Sequence, residues 1–345
     1  MCLYPKLLIN RKYTATKKNG GIIPPLTDPR TLYVPVGCNK CIECKTQKAR
    51  QWSVRLQEEI RTNKNAQFVT LTFSNEAIKD ITDQIHLTTL DKNYEEVLIS
   101  GYQLDNEIAT YAVRRFLERW RKQYKTSVKH WLVTELGQPN AKYQGTENIH
   151  LHGFIWTDKP AEIKQKWAQY GRAWIGKYVN ERTINYCIKY TTKVDFIHKE
   201  YNAKILASPG IGANYINRLD AQMNKYNNGD TRETYKLRNG QKINLPIYWR
   251  NKIYTEEERE KLWLQKLDKQ IRWVCGEQID ISKGEQNYEG ALKWYREMNN
   301  RLGYGNDEID WDRKHYEEQR RKIAQETRIQ KAGAMRETRP GYTLQ

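Results

Sequence analysis

The 345-residue chain is short of several things. No apolar run approaches the roughly 20 residues that a membrane helix needs, so no membrane partner is expected. The first residues, Met1-Cys2-Leu3-Tyr4-Pro5-Lys6, lack the charged-then-apolar pattern of an export signal, and the expected location is the cytoplasm. There are only six cysteines, and in a reducing compartment they argue against a disulfide framework. Phenylalanine is scarce, at 5 against 23 tyrosines and 11 tryptophans. Acidic residues are outnumbered, 41 against 59 Lys and Arg, leaving a formal charge of +18. Such an excess usually meets a polyanion. Aromatic faces among basic residues suit stacking on unpaired bases, with most of the tryptophans left to fill the core. From Asp312 onward large apolar residues almost vanish, which reads as a frayed helix and a disordered tail.

What is present centres on Asn148-Ile149-His150-Leu151-His152-Gly153-Phe154-Ile155-Trp156. Its alternation predicts a strand. Residues two apart share a face, so His150 and His152 stand side by side and can converge on one metal ion. Two histidines on a wet strand face explain the spacing as well. What adds weight is a later helix, Tyr186-Cys187-Ile188-Lys189-Tyr190-Thr191-Thr192-Lys193. There Tyr186 and Tyr190 are four apart and share a face, as do Lys189 and Lys193. Upstream, His130-Trp131-Leu132-Val133-Thr134-Glu135 predicts a strand that pairs with the histidine strand across a turn-rich segment, Gly137 to Gly145. Glu135 can then lie opposite the imidazoles, provided the register does not slip. Glu147 is nearer in sequence, but on a regular strand it points to the other face.

A second cluster is Cys38-Asn39-Lys40-Cys41-Ile42-Glu43-Cys44, with Cys2 available as a fourth thiol. Cys-x-x-Cys spacing lets two thiolates clasp one zinc ion, and four complete a structural site. Reduced, partly buried thiols are the alternative.

The remaining segments follow periodicity. Residues 1–37 show little of it. A basic amphipathic helix runs from Cys44 to Arg61, with Trp52, Leu56 and Ile60 on one side and Lys45, Lys48, Arg50, Arg55 and Arg61 as charges. Gln67 to Phe73 is a strand. Residues 75–106 read as an insertion or long loop outside the core. Ile108 to Tyr124 is a helix with Arg114, Arg115, Arg119, Arg121 and Lys122 outward; its arginines track phosphates or merely solvate a face. Pro160 to Tyr170 is a helix with Gly171 as its cap, and Ala173 to Val179 is a strand. Ser208-Pro209-Gly210-Ile211-Gly212 has no derivable role. Asn239-Gly240 marks a hairpin, and Thr255 caps a helix with acidic residues in its first turn. Residues 284–311 look irregular to helical.

The histidine strand followed by Tyr186-x-x-Lys189-Tyr190-x-x-Lys193 resembles the HUH endonuclease superfamily, in particular the replication initiators of microviruses, relatives of the phage gene-A and gene-II type replication proteins. The early Cys and the Cys-x-x-Cys-x-x-Cys cluster before a Trp-containing basic helix are also similar to those initiators. The likeness covers about residues 1–215.

The resemblance implies an α+β fold, a two-layer sandwich with a central antiparallel sheet of ferredoxin- or RRM-like topology flanked by helices, and a mainly helical C-terminal extension. It implies a Cys-cluster segment and basic helix at 1–62, a nuclease core at 63–217, a hairpin and helical region at 218–311 and a charged tail at 312–345. Glu135 would complete the metal site with His150 and His152 around Mg2+ or Mn2+. Tyr186 and Tyr190 would nick single-stranded origin DNA through a 5′-phosphotyrosine, aided by Lys189 and Lys193, and then transfer the strand to release a circle. The partners would be single-stranded or supercoiled origin DNA and a host helicase and polymerase, in a bacterial cytoplasm. Two other readings stay open: a plasmid relaxase or tyrosine transposase with the same chemistry, and a non-catalytic zinc-containing protein that binds single-stranded nucleic acid.

Overall fold

The structure is a computed structural model that describes residues 2–88, 99–137, 147–306 and 311–337. In chain order the elements begin with β1 (Lys6–Ile9), β2 (Tyr33–Val36), α1 (Ile42–Thr62), β3 (Ala66–Thr72), α2 (Asn75–Thr88) and α3 (Gly101–Tyr124). Then come β4 (Lys129–Leu136), β5 (Ile149–Trp156), α4 (Pro160–Trp167), β6 (Ala173–Ile175), α5 (Glu181–Thr192) and β7 (Ile205–Ala207). The chain continues through α6 (Leu219–Gln222), β8 (Thr234–Lys236), β9 (Lys242–Asn244), α7 (Ile247–Ile253) and α8 (Glu256–Asp268). It ends with β10 (Ile271–Val274), β11 (Glu277–Asp280), α9 (Gln286–Arg301) and α10 (Trp311–Glu337). The fold is α+β. No helix among the described residues is long and apolar enough to cross a membrane.

The chain divides into two compact units, Met1–Glu58 with Gly212–Ile309, and Glu59–Ile211 with Asp310–Gln345. In the second unit a five-stranded antiparallel sheet has the order β6-β3-β5-β4-β7. Strand alternation sorts its side chains. Val69 and Leu71 of β3, Leu132 and Leu136 of β4, and Ile149, Leu151 and Ile155 of β5 face a core shared with Ile78 and Ile81 of α2, Ile108, Ala112 and Phe116 of α3, and Trp167 of α4. The opposite face carries α5, packed on β4 and β5. At the centre Gly153 lies between Val69 and Leu132. A Cβ there would come within 2.0 Å of the Trp131 carbonyl oxygen, so only glycine lets the strands close at that point.

Two regions depart from the sequence reading. Residues 75–106 read as a loop in the sequence, yet 75–88 form α2 and 101–106 open α3, with Ala77, Ile78, Ile81 and Ile85 buried in the core. Residues 89–98 lie outside the described residues. The stretch expected as a disordered tail forms the 27-residue α10; 338–345 lie outside the described residues. Polar side chains replace the missing apolar ones. Arg321 donates to both carboxylate oxygens of Asp105 at 2.9 Å. Tyr102 donates to Glu317 at 3.2 Å, and Gln325 bonds both backbone groups of Gly101. Buried polar groups paired this fully can dock a helix.

In the first unit β1 pairs with β2, β8 with β9 and β10 with β11. The β8–β9 hairpin and the capping box at Thr255 match the expected turn and cap. The β10–β11 hairpin escaped the sequence reading, although Cys275 and Gly276 both take the left-handed conformation of its turn. One core packs Val54, Tyr215, Tyr235, Leu245 and Trp249, with Tyr215 and Trp249 stacked at 4.1 Å. Gly212 now has a structural role. A Cβ on it would lie 2.6 Å from the Arg55 carbonyl oxygen, and its own carbonyl accepts from Trp249 Nε1 at 2.8 Å.

Candidate active site

The sheet register places Glu135 of β4 opposite His150 of β5, and Thr70 of β3 opposite His152. Glu135 Oε2 lies 3.1 Å from His150 Nε2 and 3.1 Å from His152 Nε2. The ligand atoms of these three residues all lie within 4.8 Å of one another. Glu147, the rival acid, is held elsewhere. Its carboxylate pairs with Arg321 at 3.4 Å and Arg328 at 3.5 Å, next to a left-handed backbone at its own position. Residues 138–146 of the turn-rich segment lie outside the described residues.

The far nitrogens of the imidazoles are also engaged. His150 Nδ1 lies 3.3 Å from the Asn148 carbonyl, which can only accept, so Nδ1 carries the proton. His152 Nδ1 lies 3.1 Å from Thr70 Oγ1. A neutral His150 with its proton on Nδ1 turns the Nε2 lone pair toward a carboxylate oxygen. Two acceptors at that distance need a cation between them, either a proton or a metal ion. The donor set of two imidazoles and one carboxylate therefore fits a divalent ion.

Charge follows geometry here. Burial pushes the Glu135 carboxyl up, but hydrogen bonds from His150, His152 and Lys193 outweigh it and hold it well below the usual carboxylate range. Burial lowers His152; the Glu135 hydrogen bond opposes this, and His150 and Lys189 reinforce it. The result favours neutral imidazole, the form that binds metal.

The tyrosines stand on α5, which starts at an Asn180–Thr183 capping box. Their four-residue spacing on the face toward β5 sets the rings over the imidazoles. Tyr190 stacks on His152 with centroids 4.4 Å apart and planes at 7°. Tyr186 meets His152 edge-on at 6.2 Å. The two phenols differ in setting: Tyr190 is 8% exposed and Tyr186 is 41% exposed. Burial, the hydrogen bond to Tyr186 and the nearby Glu135 raise Tyr190 well above the ordinary phenol range.

The lysines differ too. Lys189 Nζ lies 4.0 Å from the Tyr186 ring centroid and 5.0 Å from that of Tyr190. Lys193 is ion-paired with Glu135 Oε1. Beside Tyr186 an aromatic row runs outward along the sheet: Phe68 at 5.8 Å, then Trp174 edge-on to Phe68 at 5.4 Å. Trp174 is 56% exposed.

Phe68, Thr70 and Trp174 were missed as site residues. The alternation of β3 already put Phe68 and Thr70 on one face, but which strands flank the histidines is a tertiary fact. On α3, Arg114, Arg115, Arg121 and Lys122 are exposed as expected. Arg119 instead donates to Tyr170 Oη and the Lys166 carbonyl. Arg55 of α1 has its guanidinium between the rings of Trp52 and Tyr248, at 4.1 and 3.9 Å. In the first unit, Cys2, Cys38, Cys41 and Cys44 come together as a second cluster of potential ligands.

Comparison with known proteins gives two likenesses. Residues 66–195 match the family model for replication-associated proteins of the ORF2 and gene-II type. Over 200 residues the chain is 28% identical to the Replication-associated protein ORF2 of Spiroplasma virus 4. That match covers 52% of this chain and 57% of the relative, so it spans little more than half of the relative's length. No solved structure matches. The stretch similar to the replication-associated family is the one that carries Glu135, His150, His152, Tyr186, Lys189, Tyr190 and Lys193.

Proposed function

We propose that this protein is a rolling-circle replication initiator of the HUH endonuclease type, which nicks single-stranded origin DNA and rejoins it. The observation that carries the reading is the stacking of the tyrosine pair on the Glu135–His150–His152 cluster within one unit. The two likenesses to replication-associated proteins support the same reading.

Glu135, His150 and His152 would hold Mg2+ or Mn2+, which when bound supplies Lewis acidity toward a non-bridging phosphate oxygen. The chain's own residues do the rest. A tyrosine oxygen attacks phosphorus, an O–P bond to the phenol forms, and the bond from phosphorus to the 3′-oxygen breaks. The phenol loses its proton and the departing 3′-oxygen gains one. Free phenol has a pKa of roughly 10, so the attacking group needs help. The Lys189 ammonium beside the Tyr186 ring favours the phenolate and can steady phosphate oxygens. Tyr186 is the better placed first nucleophile, since it is the exposed phenol and receives a hydrogen bond from Tyr190.

The 5′ end then stays on the protein and the free 3′-hydroxyl primes a host polymerase. After one circuit Tyr190 cuts the regenerated origin, and the new 3′-hydroxyl attacks the first phosphotyrosine. Trp174 and Phe68, beside Tyr186, provide faces for unpaired bases next to the cut.

The test is covalent capture of a single-stranded origin oligonucleotide in the presence of Mn2+. An adduct that survives denaturing electrophoresis is expected for the native chain and absent when Tyr186→Phe and Tyr190→Phe are combined. Adduct formation by that double variant, or binding without any cleavage by the native chain, would leave only a polyanion-binding protein.

A further inference from the structure

The cysteine cluster lies outside the proposed chemistry and belongs to the first unit. Cys2 comes from the N-terminal segment. Cys38 and Cys41 come from the turn before α1, and Cys44 from its first turn. Cys2 Sγ lies 3.9 Å from Cys41 Sγ, and Cys38 Sγ lies 4.0 Å from Cys44 Sγ. All four sulfurs lie within 4.8 Å of one another. None is in a disulfide, whose sulfurs would sit about 2.05 Å apart. A tetrahedron of thiolates around zinc, with bonds of about 2.3 Å, has edges of about 3.8 Å. The two measured separations are close to that edge and far from a covalent bond.

The surroundings point the same way. Backbone N–H groups are aimed at the sulfurs: Tyr4 and Cys38 donate to Cys2 at 3.3 and 3.2 Å. Lys40 and Cys41 donate to Cys38 at 3.5 and 3.3 Å, and Cys44 donates to Cys41 at 3.5 Å. The left-handed conformation of Asn39 lies at the turn between Cys38 and Cys41. Amides turned toward sulfur compensate the negative charge of metal-bound thiolate. Apolar thiols have no such need. Gly37 stands where a Cβ would come within 3.0 Å of Cys44 Sγ, so the chain leaves room for that sulfur.

We propose that Cys2, Cys38, Cys41 and Cys44 bind one zinc ion in a closed four-thiolate site that staples the N-terminal segment to the start of α1. With four protein ligands the site keeps no open position, so its role is structural. The local core is small: Cys2, Leu3, Cys41, Val274 and Ile279 are its buried apolar members. The neighbouring helix α9 braces the same junction. Asn299 Oδ1 accepts from the Ile42 amide at 2.8 Å, and Arg296 donates to the Leu3 carbonyl at 2.9 Å. A core this thin gains much of its cohesion from a metal.

The test is the metal content of the full chain after exhaustive dialysis against EDTA, measured by mass spectrometry of the elements. A variant with Glu135→Ala, His150→Ala and His152→Ala is analysed in parallel, so that zinc at the other cluster is not counted. About one zinc per chain is expected in that variant. A mercurial thiol reagent should release it, as reported by a zinc-binding dye, with about four thiols consumed per ion. Cys41→Ser should lose the zinc and melt at lower temperature, whereas Cys187→Ser and Cys275→Ser retain it. If Cys41→Ser fails to fold, the mercurial titration of the parent chain still decides. A chain with no tightly held metal, with iron in place of zinc, with full zinc in Cys41→Ser, or with Cys2 and Cys41 joined by a disulfide overturns the proposal. None of these readouts depends on DNA cleavage.

Discussion

Tyr190 donates a hydrogen bond to Tyr186, oxygen to oxygen at 2.7 Å, with the two rings at 88°. The pair is therefore unequal: one phenol is buried and gives a proton to the bond, and the other is exposed and receives it. A donor at this distance stabilises a phenolate on Tyr186. Under the proposed function, Tyr186→Phe should lower the first adduct-forming cleavage at least about 10³-fold, because the nucleophile is gone. Tyr190→Phe should cost only about tenfold in that step, the loss of one charge-assisted hydrogen bond, while abolishing the second cleavage that closes a circle. Single-turnover capture and circle release, measured separately, check the two halves. Equal loss of the first step in both variants would remove the assigned order.

Metal removal gives a second expectation. Chelation should abolish adduct formation and added Mn2+ should restore it. Thr70 makes this more specific, because its hydroxyl lies 3.1 Å from His152 Nδ1, on the side away from Glu135. Replacing a partner of this kind typically weakens metal binding about 10–100-fold. Thr70→Val should raise the Mn2+ concentration for half-maximal adduct formation by that order, and saturating Mn2+ should recover the rate. A rate deficit that no amount of Mn2+ repairs would show that Thr70 does not act through the imidazole.

The docking of α10 rests on a buried ion pair. The side chains of Arg321 and Asp105 are 2% and 5% exposed. Removing one member of such a pair strands the other charge and costs about 3–5 kcal/mol. Arg321→Ala should lower stability by that order in denaturant titration of the full chain. Arg321 also donates to the Glu147 carbonyl at 2.9 Å, just before the histidine strand begins. Combining Arg321→Met with Asp105→Leu should recover much of the loss, since neither charge is then left alone.

Stability should also depend on pH through His130. It lies buried on β4, with Nδ1 2.9 Å from Ser208 Oγ and 3.2 Å from the Val128 carbonyl. Burial lowers its pKa from the ordinary 6.5. In the window below 6.5, down to the folded value, the unfolded chain binds a proton that the fold refuses. Stability is therefore intact above this window and falls as the pH drops through it, by up to about 1.4 kcal/mol per pH unit. Denaturant midpoints measured from about pH 7 to about pH 5 should show a shallower decline in His130→Gln. An unchanged slope would mean that His130 protonates alike in both states.

Much of the site was legible locally. Alternation from Ile149 to Trp156 and the i, i+4 spacing of Tyr186 and Tyr190 are properties of strand and helix geometry. They survive whatever the rest of the chain does. The partnership of Glu135 with the histidines was readable only as far as the register could be assumed. α10 was not readable, because hydrophobic pattern is the usual signal of a packed helix and this one docks through Arg321, Glu317 and Gln325. Residues 75–88 looked like loop because their apolar positions are sparse, although Ala77, Ile78, Ile81 and Ile85 fall at helical spacing.

The sequence by itself determined a basic chain with few acids, a strand bearing paired imidazoles, a helix bearing paired phenols, and a thiol cluster with zinc-compatible spacing. Those features depend on residue type and on the period of one element. Only the tertiary structure decided that Tyr190 lies against His152 while Tyr186 stays open, that Lys193 pairs with Glu135 while Lys189 sits by the phenols, and that Cys2 joins the other thiols. Each of these depends on which distant segments share a surface, and that is set by the packing of the whole chain.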